Sequence, residues 1–139
     1  KKSDTMDKLK RTKDAYKKRS FILQPFINSI KKDGEMSLIF FNKGFSHGLS
    51  KVPKKGDFRV QEEHGGTLEL LKNLDKQVIN LCKKVISLLP YECFYSRIDL
   101  VFDRGHPLLM EIEVIEPSLY FNLEPKSAKL FAKKVSDFF

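Results

Sequence analysis

The sequence predicts an α+β domain, an antiparallel sheet with packed helices. Three observations carry that prediction. Two β-rich runs, Tyr95–Phe102 and Leu108–Ile115, flank the turn-forming stretch Asp103-Arg104-Gly105-His106-Pro107. An earlier pair of runs, Met36–Phe41 and Phe45–Ser50, closes over Asn42-Lys43-Gly44. Between the pairs, Leu71, Leu74, Val78, Leu81, Cys82, Val85 and Leu88 recur at steps of three and four, which is helical spacing. At 139 residues, 41% hydrophobic and 32% charged, the chain has the length and composition of one ordinary globular domain.

Taken in order, residues 4–18 carry weak helical spacing in Met6, Leu9 and Tyr16. Phe21–Leu23 then begin an apolar run that Pro25 interrupts, read as a strand leading into a hinge-like turn. Lys31-Lys32-Asp33-Gly34 supplies a loop before the first hairpin. From Lys51 to Gly66 the chain turns polar, with Pro53, Gly56, Gly65 and Gly66 as breakers around a short strand at Phe58–Gln61. Leu68–Leu89 is expected to be one amphipathic helix ended by Pro90. Pro125 opens a final helix with Ala128, Phe131, Val135 and Phe138 inward. The expected organisation is a basic helical lead over residues 1–20 and a single folded unit over 21–139.

The net charge of +8 is concentrated at one end. Residues 1–19 hold nine Lys or Arg against three Asp, leaving seventeen basic and fifteen acidic residues elsewhere. Tyr16 is the single aromatic among residues 1–19, too few to interleave stacking platforms with the basic residues, so a solvated helix face is favoured over a nucleic-acid arm. No apolar run approaches the roughly 18–20 residues that span a bilayer, and no signal peptide is present, so a cytoplasmic protein is expected. Cys82 and Cys93 lack metal-ligand spacing and read as buried thiols. The chain begins at Lys1, and the expectation is that it is a piece of a longer one.

Side chains alternate along a strand, so Glu111 and Glu113 share one face and Arg97 and Asp99 share another. A five-residue loop over Asp103–Pro107 would pair Phe102 with Leu108, Asp99 with Glu111 and Arg97 with Glu113. A four-residue loop would send Asp99 to the face away from the glutamates. Pro107 cannot donate to a ladder, which favours leaving it in the loop. Like charges set opposite each other cost a few tenths to about 1 kcal/mol in a plain sheet, and a cation reverses that sign. Carboxylates on adjacent strands suit magnesium, which takes one or two of them together with substrate phosphates. The plainer alternative is a solvated face on which Arg97 neutralises a glutamate.

The phrase Tyr95-Ser96-Arg97-Ile98-Asp99-Leu100-Val101, a short turn, then Leu109-Met110-Glu111-Ile112-Glu113 resembles the final hairpin of ATP-grasp ligases of the D-alanine ligase and glutathione synthetase kind. Phe21-Ile22-Leu23-Gln24-Pro25-Phe26-Ile27 resembles their hinge strand, and Gly34-Glu35-Met36-Ser37 the segment with a ribose-binding acid. Lys51 and Asp57-Phe58-Arg59-Val60-Gln61, followed by His64-Gly65-Gly66, resemble a segment that contacts phosphates and acyl substrate. Ser46-His47, Glu62-Glu63 and Ile115-Glu116-Pro117-Ser118 add to the likeness, which is greatest to the branch that includes the cycloserine-forming cyclo-ligase.

The resemblance implies the carboxyl-terminal subdomain of the ATP-grasp fold. It implies two Mg2+ ions, or Mn2+ in their place, on Asp99, Glu111 and Glu113, and catalytic cations at Arg97 and Arg59. ATP would meet Gln24, Phe26, Ile27, Glu35 and Lys51. Glu113 stands where many members carry Asn. The implied activity joins a carboxylate to an amine through an acyl phosphate, with ATP and small carboxylate and amine substrates as partners. The lysine-bearing jaw and the amino-terminal domain are not in this chain, so it is expected to be inactive alone. A homodimer is compatible with this reading, nucleic acid and membrane are not expected partners, and the alternative is a non-catalytic nucleotide-binding or interaction module.

Overall fold

A computed structural model describes residues 2–17, 20, 22, 24–60 and 65–137. The basic lead forms α1 (Lys2–Ala15), on which Met6 is exposed rather than turned into a core. Among the described residues the expected hinge strand is not seen: Ile22 and Gln24–Ile27 are irregular, and Phe21 and Leu23 lie outside the described residues. The expected loop at residues 31–34 contains a single helical turn, α2 (Ile30–Asp33), that buries Ile30.

Five strands follow: β1 (Glu35–Phe41), β2 (Gly44–Val52), β3 (Thr67–Leu70), β4 (Tyr95–Asp103) and β5 (His106–Glu113). They form one antiparallel sheet in the order β3-β2-β1-β4-β5. Between β3 and β4 lies α3 (Lys76–Ser87), and α4 (Pro125–Ser136) ends the chain with Pro125 in its first turn. Phe138 lies outside the described residues.

The long helix expected over Leu68–Leu89 is therefore shorter by a strand and a loop. Thr67 and Glu69 face out while Leu68 and Leu70 turn inward, an alternation of period two inside a leucine pattern that also fits a helix. Pairing with Leu49–Val52 gives those backbone groups partners across β2. The helix starts where Asp75 accepts a hydrogen bond from the Gln77 amide at 2.8 Å. Leu88, at the far end of the predicted apolar stripe, is exposed. Likewise the strand expected at Phe58–Gln61 is not one: residues 58–60 are irregular and Gln61 is outside the described residues.

The sheet separates two kinds of interior. On one face Leu38, Phe40, Ile98 and Leu100 pack against Cys82 and Ile86 of α3. The opposite face carries two apolar clusters at its ends. Ile30, Val60 and Val101 gather with Ile27 and Met110 at one, and Ile39, Phe41 and Leu49 gather with Phe121 and Phe131 at the other. Between those clusters the same face is charged. Burial pushes the Cys82 thiol up to about 11, which suits an inert core residue, whereas Cys93 is only half-buried and corrects the reading of two buried thiols. Among the described residues no helix is long and apolar enough to cross a membrane.

Candidate functional site

Four strands send charged side chains into one cavity of about 420 Å3, lined by Glu35 of β1, Lys51 of β2, Arg97 and Asp99 of β4, and Glu111 and Glu113 of β5. Asp99 pairs with Glu111 and Arg97 with Glu113, as the sequence suggests, but by another route. The turn is only Arg104-Gly105, both at positive φ (51° and 81°), so Asp103 faces His106 and Phe102 faces Pro107. That register, continued, would set Asp99 opposite Met110 and the glutamates on the wrong face. A bulge corrects it: Leu100 faces Leu109, Asp99 faces Glu111, and Met110 is left without a partner. Pro107 thus sits inside β5 and not in a loop; β5 is an edge strand, where proline is tolerated.

A second bulge acts in the same way. The turn Asn42-Lys43 sets Phe40 opposite Phe45, then Ser46 is skipped, and Ile39 faces His47. The shifted register carries through to Glu35 opposite Lys51, whose side chains form an ion pair.

Asp99 is the hub. Only 2% exposed, it accepts hydrogen bonds from Arg97 Nε at 3.1 Å to each oxygen, from Arg97 Nη2 at 2.9 Å and from Ser37 Oγ at 2.5 Å, with Lys51 Nζ at 3.6 Å. The Arg97 guanidinium also reaches Glu113 at 2.9 Å and Glu111 at 4.0 Å. Burial works against its charge, but the bonds to Asp99 and the charge of Glu113 outweigh this and raise its pKa. Glu111 is the least satisfied of the acids. Desolvation first, then the charges of Glu113 and Asp99, push its pKa above the ordinary glutamate value.

These groups suit a hard cation in chemistry, since four carboxylates, Glu35, Asp99, Glu111 and Glu113, face one cavity and Glu111 sits in a field that a cation would relieve. They do not form a cage: among the described residues no three acidic, His or Cys side chains are grouped closely enough to hold a metal ion by themselves. The fit is therefore to an ion held by Glu111 and Glu113 together with ligand oxygens, with Asp99 already engaged by Arg97.

Other sequence-selected residues lie elsewhere. Arg59 is exposed and clasped by Asp57, at 2.7 Å from Nη2 to Oδ2, and does not line the cavity. Its charge makes a local turn with Asp57, which also accepts from the Phe58 and Arg59 amides and whose pKa these bonds lower. Gln24 and Ile27 line a separate groove with Leu108, Leu109 and Met110. Phe26 is half-exposed, edge-on to Phe58 with a centroid distance of 5.7 Å. Glu62, Glu63 and His64 lie outside the described residues.

Ser37, Val60, Leu68, Ser118 and Tyr120 complete the surroundings of the charges, none of them selected from the sequence as site residues. Of these, Ser37 could have been found by alternation, sharing its face with Glu35. Tyr120 gave no such signal: it reaches the cavity from an irregular connection and holds φ at 51°, a left-handed conformation uncommon for a bulky residue.

The fold is shared with D-cycloserine synthetase DcsG (TM-score 0.67, 23% identity, 82% of this chain and 41% of that one). It is shared too with D-alanine–D-alanine ligase from Bacillus anthracis complexed with ATP (TM-score 0.60, 15% identity, 94% and 44%) and with the ATP-grasp ligase PsnB (TM-score 0.53, 13% identity, 73% and 32%). At these identities the likeness is one of fold. In sequence, residues 1–127 match the model for the ATP-grasp domain of prokaryotic glutathione synthetase, and the chain belongs to that ATP-grasp family. It is also 31% identical, over 128 residues and 84% of its length, to the cycloserine biosynthesis protein DcsG of Streptomyces lavendulae. The chain spans 41% of that relative's length.

Proposed function

We propose that this chain supplies the carboxylate-bearing side of a magnesium–ATP site in a carboxylate–amine ligase that works through an acyl phosphate. The observation that supports this reading is the pairing, across the bulge at Met110, of Asp99 with Glu111 and Arg97 with Glu113 over a cavity shared with Lys51 and Glu35. Glu111 and Glu113 would hold Mg2+, one ion or two, or Mn2+ in its place; the bound metal would neutralise phosphate oxygens and so favour phosphoryl transfer. Arg97, buried and multiply hydrogen-bonded, holds a fixed positive charge where the transferred phosphoryl group and the acyl oxygen would lie, and such preorganised charge needs little rearrangement during reaction. Asp99 orients Arg97. Lys51 is a second cation, with Glu35 beside it for a ribose hydroxyl. The separate groove of Gln24, Pro25, Ile27, Leu108, Leu109 and Met110 has apolar walls that suit a flat base, and its Ile27 and Met110 pack against the cluster that contains Val60 of the cavity wall. Arg59 is left out of this machinery. The acceptor site and the cations for the remaining phosphates belong to parts of the ligase beyond this chain, which alone would be inactive.

The second reading is a non-catalytic nucleotide-binding or interaction module. One observation favours it: Arg97 already pairs with Asp99 of β4 and Glu113 of β5, two of the acids a metal would use. Calorimetric titration of the intact protein with Mg–ATP, combined with an ATP-consumption assay, separates the two. Binding and turnover that vanish in Glu111→Gln, with the fold unchanged by circular dichroism, are expected for the ligase. Turnover unaffected by Glu111→Gln would sink the site assignment, and binding without ATP consumption would favour the module. Asp99→Asn is the poorer test, because it also weakens the buried network of Arg97, Lys51 and Ser37.

A further inference from the structure

The bulge that skips Ser46 leaves His47 buried, only 5% exposed, on the side of the sheet that carries the cavity. Its ring has two partners. Nε2 lies 3.1 Å from the carbonyl oxygen of Leu119, and Nδ1 lies 2.9 Å from Ser46 Oγ. A backbone carbonyl only accepts, so Nε2 carries the proton; Nδ1 then accepts from the Ser46 hydroxyl. Burial lowers the pKa of His47, which agrees with a neutral ring satisfied on both sides. The residue after Leu119 is Tyr120, whose left-handed backbone lets its side chain line the cavity while its carbonyl accepts from the Leu123 and Glu124 amides, at 3.0 and 3.2 Å. Glu124 in turn caps α4.

We infer that His47 is a positioning residue: it ties β2 to the connection carrying Ser118 and Tyr120 and holds those side chains at the cavity wall. A strained tyrosine persists only where its surroundings over-determine it; the His47–Leu119 bond is a side-chain tether on one side of it, and Phe121 packs on Phe41 and Phe131 on the other. The coupling to ligand rests on the proposed nucleotide site; the tether itself does not.

The test uses the intact protein with two substitutions. His47→Leu fills the space and removes both bonds, whereas His47→Gln keeps an amide donor that can reach the Leu119 carbonyl. Hydrogen exchange should speed up at the Leu123 and Glu124 amides by roughly tenfold in His47→Leu, about the effect of losing one net hydrogen bond, with β1 and β4 amides unchanged. Mg–ATP affinity should fall several-fold in the same variant, and both effects should be reversed in His47→Gln. If His47→Leu does not fold, Ser46→Ala, which removes only the donor to Nδ1, should give a smaller change of the same sign at the same amides. Unchanged exchange at residues 123 and 124, or equal effects of Leu and Gln, overturns the tether. Faster exchange with unaltered nucleotide affinity overturns its link to the site. Wild-type protein that binds no Mg–ATP defeats the ligase proposal instead and leaves the exchange result to decide the tether.

Discussion

The β1–β2 and β4–β5 hairpins both turn through two residues of positive φ, Asn42-Lys43 and Arg104-Gly105, and both carry one unpaired residue in the returning strand, Ser46 or Met110. In each, the tight turn sets a register that would point the functional charges the wrong way, and the bulge reverses it. The outcomes differ in sign. The first hairpin pairs Glu35 with Lys51 and is neutral in itself, while the second opposes Asp99 to Glu111 and depends on Arg97 from the same strand to offset the excess. One backbone device thus serves a self-satisfied pair and an incompletely satisfied one, and the second leaves an acid available to a ligand.

The comparison is broken most severely at Asp99. Asp99→Leu removes the buried acid that Arg97 and Lys51 share and leaves them only Glu113 and Glu35, and a loss of about 3 kcal/mol of unfolding free energy is expected from urea denaturation. Asp57→Ala, which opens the exposed Arg59 pair, should move the same midpoint little. On the first hairpin, Gly34→Ala is expected to cost roughly 3 kcal/mol, since a Cβ there would lie 2.0 Å from the Lys51 carbonyl oxygen at a φ of 70°. A loss well under 1 kcal/mol would show that β2 can shift away from Gly34, against the register described.

The turns sharpen the comparison at a lower energy. Gly105→Ala meets no neighbouring atom but places a Cβ at φ 81°, for an expected loss of about 1 kcal/mol. Lys43→Gly should give a gain of similar size by relieving a left-handed lysine at φ 64°, because the Lys43–Glu92 pair it removes is exposed. Thermal melts of both variants at one pH measure the difference.

The smallest effect is expected at Glu111. Its carboxyl binds a proton more tightly folded than unfolded, so the folded chain loses stability as pH rises from the ordinary glutamate value of 4.5 through the raised one. Glu111→Gln removes that loss. In metal-free buffer it should melt slightly above wild type at pH 7 and together with it once the pH is below 4.5. A variant that melts lower at pH 7 would show that Glu111 is well paired and not exposed to repulsion.

Much of this was legible in the chain itself. Alternating runs located β1, β2, β4 and β5 within a few residues, Pro125 opened α4, and the pairs Arg97/Asp99 and Glu111/Glu113 each share a face, as alternation requires. The expected opposition of Asp99 and Glu111 holds although the loop does not have five residues: two differences, a shorter turn and an added bulge, compensate. Nothing in Met110 or Ser46 announces a bulge, because the two-residue turn and the burial of one face impose it together. β3 was hidden because Leu68 and Leu70 belong equally well to an alternating strand and to the leucine periodicity of the helix behind it, and pairing along β2 decided between them.

The sequence by itself determined which residue types were available, on which strands they alternate and which family they resemble, since strand period and turn chemistry are local properties. Only the tertiary structure decided that Arg97 lies among the three acids, that Arg59 goes to Asp57 and stays outside, that Ser37 donates to Asp99, and that Ser118 and Tyr120 arrive at the cavity wall. Those outcomes depend on register and on contacts between segments far apart in the chain. They are set by the burial of one whole sheet face, a quantity that no window of the sequence contains.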